Sequence, residues 1–200
     1  MRLKVGIDCD GVLTSAASIM IELINEHPEH NHNLSAANIQ GYDWDFYNQY
    51  CSPCQKALLV NPEFARRCKL YPGTREALQQ MAEHVDLYLM THRREEIQPA
   101  TIEWLQTNQI YNLFTNVWFE RKSKAERAFR EGLDLHLDDS PNVIIDWNQK
   151  YDAAVDFPAA YPELVIYDCN YNRHLSAFSR VKDITEFARE IVHLATHWQR

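Results

Sequence analysis

Leu3-Lys4-Val5-Gly6-Ile7-Asp8-Cys9-Asp10-Gly11-Val12-Leu13-Thr14 is the stretch on which the reading of this chain turns. Its first five residues form a short, mostly apolar run of the kind that sits as a buried strand in a parallel sheet. That run delivers two carboxylates, Asp8 and Asp10, at its C-terminal end, the end at which open α/β sheets bind their ligands. Gly11 lets the backbone turn sharply there at little steric cost, so both carboxylates converge on one small polar centre.

Three later segments, at Thr91, Lys124 and Asp138-Asp139, complete the pattern. Asp86-Leu87-Tyr88-Leu89-Met90 reads as a second strand ending at Thr91, and Asn116-Val117-Trp118-Phe119 as a third. Lys124 opens a helix that stops at Gly132, and Asp134-Leu135-His136-Leu137-Asp138 is a strand that again ends in carboxylates, Asp138 and Asp139. Ser140-Pro141 then supplies an N-cap and a first-turn proline, which starts the next helix beside those carboxylates. Leu164 to Asp168 is the last strand expected. Asp183 and Glu186 open a final helix with capping-box-like spacing, its apolar face formed by Ile184, Phe187, Ala188, Ile191 and Val192. Asp8 as the attacking group at phosphorus, with Asp10 moving protons, is the chemistry that this pattern suggests.

Alternating strands and helices predict an α/β fold with a doubly wound, mostly parallel sheet. Between the first strand and Pro72-Gly73-Thr74 lies a segment that reads as an inserted helical cap. It begins with a helix over Ala17 to Glu26 and continues to about Leu70 as an irregular, His- and Asn-rich and then strongly aromatic stretch. Residues 1–14 and 71–200 therefore make the core and 15–70 the cap. Thr74 is the expected N-cap of the helix that carries Ala77, Leu78, Met81, Ala82 and Val85.

Two hundred residues, 46% apolar and 24% charged, suit one core domain with an insertion. A formal charge of -8 disfavours a long nucleic-acid partner, which would need clustered Lys and Arg, but is compatible with a small phosphorylated substrate. No stretch approaches the roughly 20 apolar residues of a membrane span, and the N-terminus does not read as a signal peptide, so no membrane association and a cytoplasmic location are expected. The reading leaves room for a homodimer. Cys9, Cys51, Cys54, Cys68 and Cys169 read as reduced thiols. Cys51 and Cys54 would make half of a zinc site, with Cys68 and the His27, His30, His32 group as its completion, but the second CxxC or HxxxH is missing.

The order Asp-x-Asp-Gly-Val-Leu-Thr, Thr91 after a strand, Lys124, then Asp138-Asp139 resembles the haloacid dehalogenase superfamily of phosphatases over nearly the whole chain. The insertion after the first motif, Tyr71-Pro72-Gly73, Leu137-Asp138-Asp139-Ser140-Pro141 and Tyr171-Asn172-Arg173 look like its 5′(3′)-deoxyribonucleotidase branch, although His92 and Arg93 stand where animal members have small or apolar residues. The resemblance implies that Asp8 forms an aspartyl-phosphate and that Asp10 is general acid and then base. It implies that Thr91 binds a phosphoryl oxygen and that Lys124, favoured over Lys122, neutralises charge. It also implies that Mg²⁺ is held by Asp8, the Asp10 carbonyl and Asp138, with Asp139 in support. Electrostatics agrees, because several carboxylates facing a phosphate dianion repel unless a divalent cation and a lysine offset them.

For the substrate, Trp44, Phe46 and Tyr47 in the aromatic stretch could stack on a base, or simply pack the cap. His92, Arg93, Arg94 and Arg173 are candidate contacts to the substrate phosphate or sugar edge. The expected activity is that of a 5′-nucleotidase on nucleoside or deoxynucleoside monophosphates. A phosphatase of a sugar phosphate or phosphoserine, and a catalytically silent protein that keeps the fold, are the alternatives.

Overall fold

The computed structural model describes residues 2–28, 33–38, 60–153, 161–175 and 178–197. Among the described residues six strands form one parallel sheet: β1 (Lys4–Ile7), β2 (Asp86–Thr91), β3 (Phe114–Phe119), β4 (Leu135–Asp138), β5 (Glu163–Tyr167) and β6 (Ser179–Val181), in the spatial order β3-β2-β1-β4-β5-β6. The α-helices among the described residues are α1 (Ala16–Glu26), α2 (Pro62–Arg67), α3 (Thr74–His84), α4 (Gln98–Thr107), α5 (Lys124–Glu131), α6 (Pro141–Ala153) and α7 (Ile184–His197). Among the described residues no helix is long and apolar enough to cross a membrane.

The two-residue period of the strands divides the interior into two cores. Leu87 and Leu89 pack on one face with Val5, Ile7, Leu135, Leu137 and Val165, against residues of α1, α3, α4 and α7. Met90, Leu164 and Ile166 point to the other face and pack against Ala125, Ala128, Val143, Ile144 and Trp147 of α5 and α6. Both faces are thus covered, as an all-parallel sheet requires.

Several boundaries differ from the sequence reading. The stretch expected to be irregular up to Leu70 contains α2, whose N-cap Asn61 accepts a hydrogen bond from the Glu63 N–H at 3.0 Å and whose first residue is Pro62. Asn-Pro is a helix-start signal that the aromatic character of the segment obscured. β3 begins at Phe114 rather than Asn116, and β6 was not anticipated, because Ser-Arg-Val is too short to show alternation. Gly73, not Thr74, occupies the N-cap of α3. Thr74 is its first helical residue, and its buried Oγ1 has no hydrogen-bond partner among the described residues. At α7 the Asp183 carboxylate accepts from the Glu186 N–H at 2.8 Å, while the Glu186 carboxylate reaches Lys182 N–H at 2.6 Å, one residue before the expected return bond.

The chain just before α1 and the chain just after α2 are held together. Thr14 bridges Leu70, Tyr71 N–H donates to the Leu13 carbonyl at 2.9 Å, and the Thr14 hydroxyl donates to the Lys69 carbonyl at 2.6 Å. β1 runs at the centre of the sheet, paired with β2 on one side and β4 on the other. The C-terminal ends of these three strands, which carry Asp8, Thr91 and Asp138, therefore lie side by side.

Candidate active site

A cleft opens over those strand ends, with Asp8, Asp10, Thr91, Lys124 and Asp139 on its floor. The Lys124 ammonium, at the first turn of α5, donates to Asp8 Oδ1 at 2.6 Å and to Asp138 Oδ2 at 2.7 Å. It is buried, and although burial alone would favour the neutral amine, Asp138 and Asp8 hold it protonated well above the usual lysine range. Lys122 is exposed. The position of Lys124 is set by Ser123, which caps α5 by accepting from the Glu126 N–H at 3.0 Å.

Asp138 is the most fully committed carboxylate. Its Oδ1 accepts from the Ser140 N–H at 3.0 Å, and its Oδ2 faces Nε2 of His136 at 3.0 Å as well as Lys124. Burial opposes its ionisation, but Lys124 and His136 hold it well below the ordinary carboxylate range. The imidazole of His136 fits because residue 6 is glycine: a Cβ there would lie 2.6 Å from Nδ1 of His136. Trp147 stacks on the same ring, with centroids 5.3 Å apart.

Asp139 accepts from the Tyr171 hydroxyl, and Nδ2 of Asn172 donates to its carbonyl at 2.8 Å. Burial, Asp8 and Asp138 push its carboxyl well above the usual range. Asp8 is pushed up to about 7, by burial first, with Asp138 and Asp10 adding to the effect and Lys124 opposing it. One oxygen from each of Asp8, Asp138 and Asp139 lies within 4.8 Å of the others. At the base of the cleft four carboxylates, Asp8, Asp10, Asp138 and Asp139, are gathered around two ion-paired cations, Lys124 and Arg93, so full ionisation of this group leaves an excess of two negative charges, of which Arg94 at the opening can offset one. All-oxygen donors with that excess fit a hard divalent cation.

Gly11 has φ of 94°, a conformation that non-glycine residues adopt at a cost of roughly 1–2 kcal/mol. A Cβ on it would also meet the Asp139 carboxylate, with Oδ2 at 2.2 Å and Cγ at 2.5 Å. Gly11→Ala is therefore expected both to lower the melting temperature and to raise the divalent-cation concentration needed for half-maximal activity. Thermal unfolding with a metal titration of turnover checks this, and an unchanged metal requirement would separate Gly11 from the acidic cluster.

The remaining candidates fall into different places. Thr91 is buried on the cleft floor, where its Oγ1 accepts from the Arg93 N–H at 3.2 Å, a bond that does not use the hydroxyl proton. His92 and Arg94 line the opening. Arg93 also lines the cleft, but its guanidinium turns onto Asp10, with Nε to Oδ2 at 2.9 Å and Nη2 to Oδ1 at 2.7 Å. Arg173 is not among the cleft residues: it is largely exposed and pairs with Asp168 at 3.0 Å. Trp44, Phe46 and Tyr47 lie outside the described residues, as do Cys51 and Cys54, whereas Cys9 and Cys68 are buried thiols. Sequence reasoning missed the apolar wall, formed by Ala16 and Met20 of α1, Phe64 of α2 and Ile97. It also missed His136 as a support of Asp138, for which an alternating strand pattern carries no signal.

Residues 2–197 match the family model described as 5′ nucleotidase, deoxy (pyrimidine), cytosolic type C protein. The chain belongs to this family. It is also similar to a protein of Oceanobacillus iheyensis whose name marks it as an inferred nucleotidase, with 30% identity over 124 residues, and this match spans 60% of each chain. Among solved structures, a haloacid dehalogenase superfamily hydrolase from Ehrlichia chaffeensis aligns with a TM-score of 0.61 at 12% identity, covering 97% of this chain and 98% of the other. A subfamily IA hydrolase from Geobacter sulfurreducens aligns at 0.57 and 18% over 95% and 96%. The L-2-haloacid dehalogenase of Xanthobacter autotrophicus aligns at 0.60 and 10% over 96% and 98%. At these identities the structures establish the haloacid dehalogenase-like fold alone.

Proposed function

We propose that this protein is a Mg²⁺-dependent 5′-nucleotidase that hydrolyses nucleoside or deoxynucleoside monophosphates through an aspartyl-phosphate. The observation that carries this reading is the Lys124 ammonium held between Asp8 and Asp138 on the floor of the cleft, in a chain of the nucleotidase family. Asp8 attacks phosphorus, and the ester oxygen leaves with a proton from Asp10. Water then attacks the phosphorus of the aspartyl-phosphate, Asp10 takes the water's proton, and the breaking bond returns its electron pair to Asp8. This replaces one difficult displacement by two easier ones. Thr91 has a hydroxyl proton to give to a phosphoryl oxygen, and Lys124 offsets charge as it moves onto and off Asp8. Asp8, Asp138 and Asp139, with the Asp10 carbonyl, would hold Mg²⁺, which supplies charge neutralisation on the phosphoryl oxygens.

The wall of Ala16, Met20, Phe64 and Ile97 offers apolar contact to a base, and it supports a nucleotide over a sugar phosphate or phosphoserine. The family description points to a cytosolic protein acting on pyrimidine deoxynucleotides, which makes these substrates the first to test. The decisive experiment measures phosphate release with Mg²⁺ from 5′- and 3′-nucleoside monophosphates of both sugars, a sugar phosphate and phosphoserine. Nucleotides are expected to rank first and EDTA to abolish turnover. Preference for the sugar phosphate or phosphoserine, or turnover indifferent to EDTA, would overturn the reading. In the same assay Asp10→Asn is expected to lose roughly 10²–10⁴-fold in turnover, the usual contribution of a positioned proton carrier. Near-normal turnover in that variant would move the proton transfer elsewhere.

A further inference from the structure

Arg93 departs from what its place at a substrate cleft suggests. Its side chain is 1% exposed, whereas that of Asp10 is 26% exposed. Besides the two bonds to Asp10, Nη1 donates to Thr101 Oγ1 at 3.3 Å and Nη2 to Cys68 Sγ at 3.4 Å. The rings of Phe64 and Trp104 lie against the guanidinium, with centroids 5.4 and 5.2 Å away. Trp104 is itself fixed, because its Nε1 donates to the Cys68 carbonyl at 2.7 Å. A guanidinium so enclosed is not presented to an incoming ligand. Its fork is aimed at one carboxylate, and a planar two-point pair fixes the plane of that carboxylate as a lysine could not.

We propose that Arg93 is a positioning residue for proton transfer: it orients the Asp10 carboxylate so that a lone pair not used by the fork faces the ester oxygen and then the attacking water. A carboxylate has about four lone-pair sites, and Arg93 occupies two, so Asp10 can carry or accept a proton while the pair stays intact. In the first step the proton on Asp10 passes to the departing ester oxygen as the bond from phosphorus to that oxygen breaks and the bond to Asp8 forms. In the second, Asp10 takes one proton from water as the water oxygen bonds phosphorus and Asp8 is released. Phe64 and Cys68 belong to the return limb of the insertion, so the seating of α2 also helps to set the plane of Asp10. The inference rests on the proposed phosphatase chemistry at this site.

The test is a series of substituted phenyl phosphates, nearly constant in size but graded in leaving-group acidity, with kcat/KM measured in Mg²⁺ for wild type, Arg93→Met, Arg93→Lys and Asp10→Asn. A p-nitrophenolate needs little protonation on leaving, whereas an unactivated phenolate needs much more. In Arg93→Met, kcat/KM for phenyl phosphate is expected to fall by about 10²-fold and that for p-nitrophenyl phosphate by less than about tenfold, a steepening shared by Asp10→Asn. Arg93→Lys keeps the charge without the fork and is expected to lie between wild type and Arg93→Met. It also serves as the test variant if circular dichroism finds Arg93→Met unfolded. Equal losses across the series would make Arg93 a structural residue, and a raised KM for nucleotides with an unchanged slope would make it a substrate contact. Either result overturns the proposal. Wild-type enzyme that cleaves the aryl esters but not nucleotides would defeat the nucleotidase reading while leaving the Arg93 comparison intact, and wild type that cleaves neither would defeat both.

Discussion

Asp8→Asn is expected to reduce phosphate release from a nucleoside monophosphate by at least about three orders of magnitude, the scale on which enzymes lose turnover when a covalent nucleophile is deleted. The shape is kept while the attacking charge is gone. The same variant is expected to be more stable than wild type at neutral pH in EDTA, because the Asp8 carboxyl, pushed up from 3.8 to about 7 in the fold, resists ionisation there. The sign follows from linkage: between those two values the folded state binds more protons than the unfolded chain, so wild-type stability falls as pH rises through that window. The stability advantage of the Asn variant should therefore be largest above pH 7 and shrink toward pH 4. Thermal melts over that range and a phosphate-release assay check both parts. Residual turnover near the wild-type rate would remove Asp8 as nucleophile, and a variant less stable than wild type at every pH would mean that its charge is not a liability.

Lys124→Ala is expected to be the most damaging change in the cleft after loss of Asp8. It leaves Asp8 and Asp138 facing each other without the ammonium that bonds both at 2.6 and 2.7 Å. Removing one partner from a buried ion pair typically costs about 3–5 kcal/mol. Turnover should fall with it, since the same charge would oppose the transferring phosphoryl group. Excess Mg²⁺ is expected to restore part of the melting temperature and little of the turnover, because it can offset charge without occupying the ammonium's place. Lys122→Ala, at an exposed position, should stay within about 0.5 kcal/mol of wild type. Guanidinium denaturation and initial rates for both variants give the comparison, and a reversed ranking would reassign the lysine.

The sequence was most informative where local chemistry is self-contained. A strand followed by Asp-Cys-Asp-Gly, a strand ending at Thr91 and a strand ending at Asp138 could each be read from a few adjacent residues, because strand length, turn residues and helix caps are local properties. The parallel sheet then followed from their alternation with helices. α2 and β6 escaped because each is short: six residues for α2 and three for β6 leave no periodicity to read. Arg93 was legible only as a cation near the site, since nothing in Thr-His-Arg-Arg says which way a guanidinium will turn.

From the amino-acid order alone came the α/β architecture and the set of strand ends that carry acidic and hydroxyl groups, for strand direction and side-chain alternation are dictated within each segment. Which groups meet was decided only by the tertiary structure. Lys124 reaches Asp8 across 116 positions of sequence, Arg93 reaches Asp10 across 83, and Tyr171 reaches Asp139 across 32. Those meetings depend on the crossing of elements, on the space left by Gly6 and Gly11, and on the exclusion of water that makes a paired charge strong and an unpaired one costly, none of which exists until the sheet has been assembled.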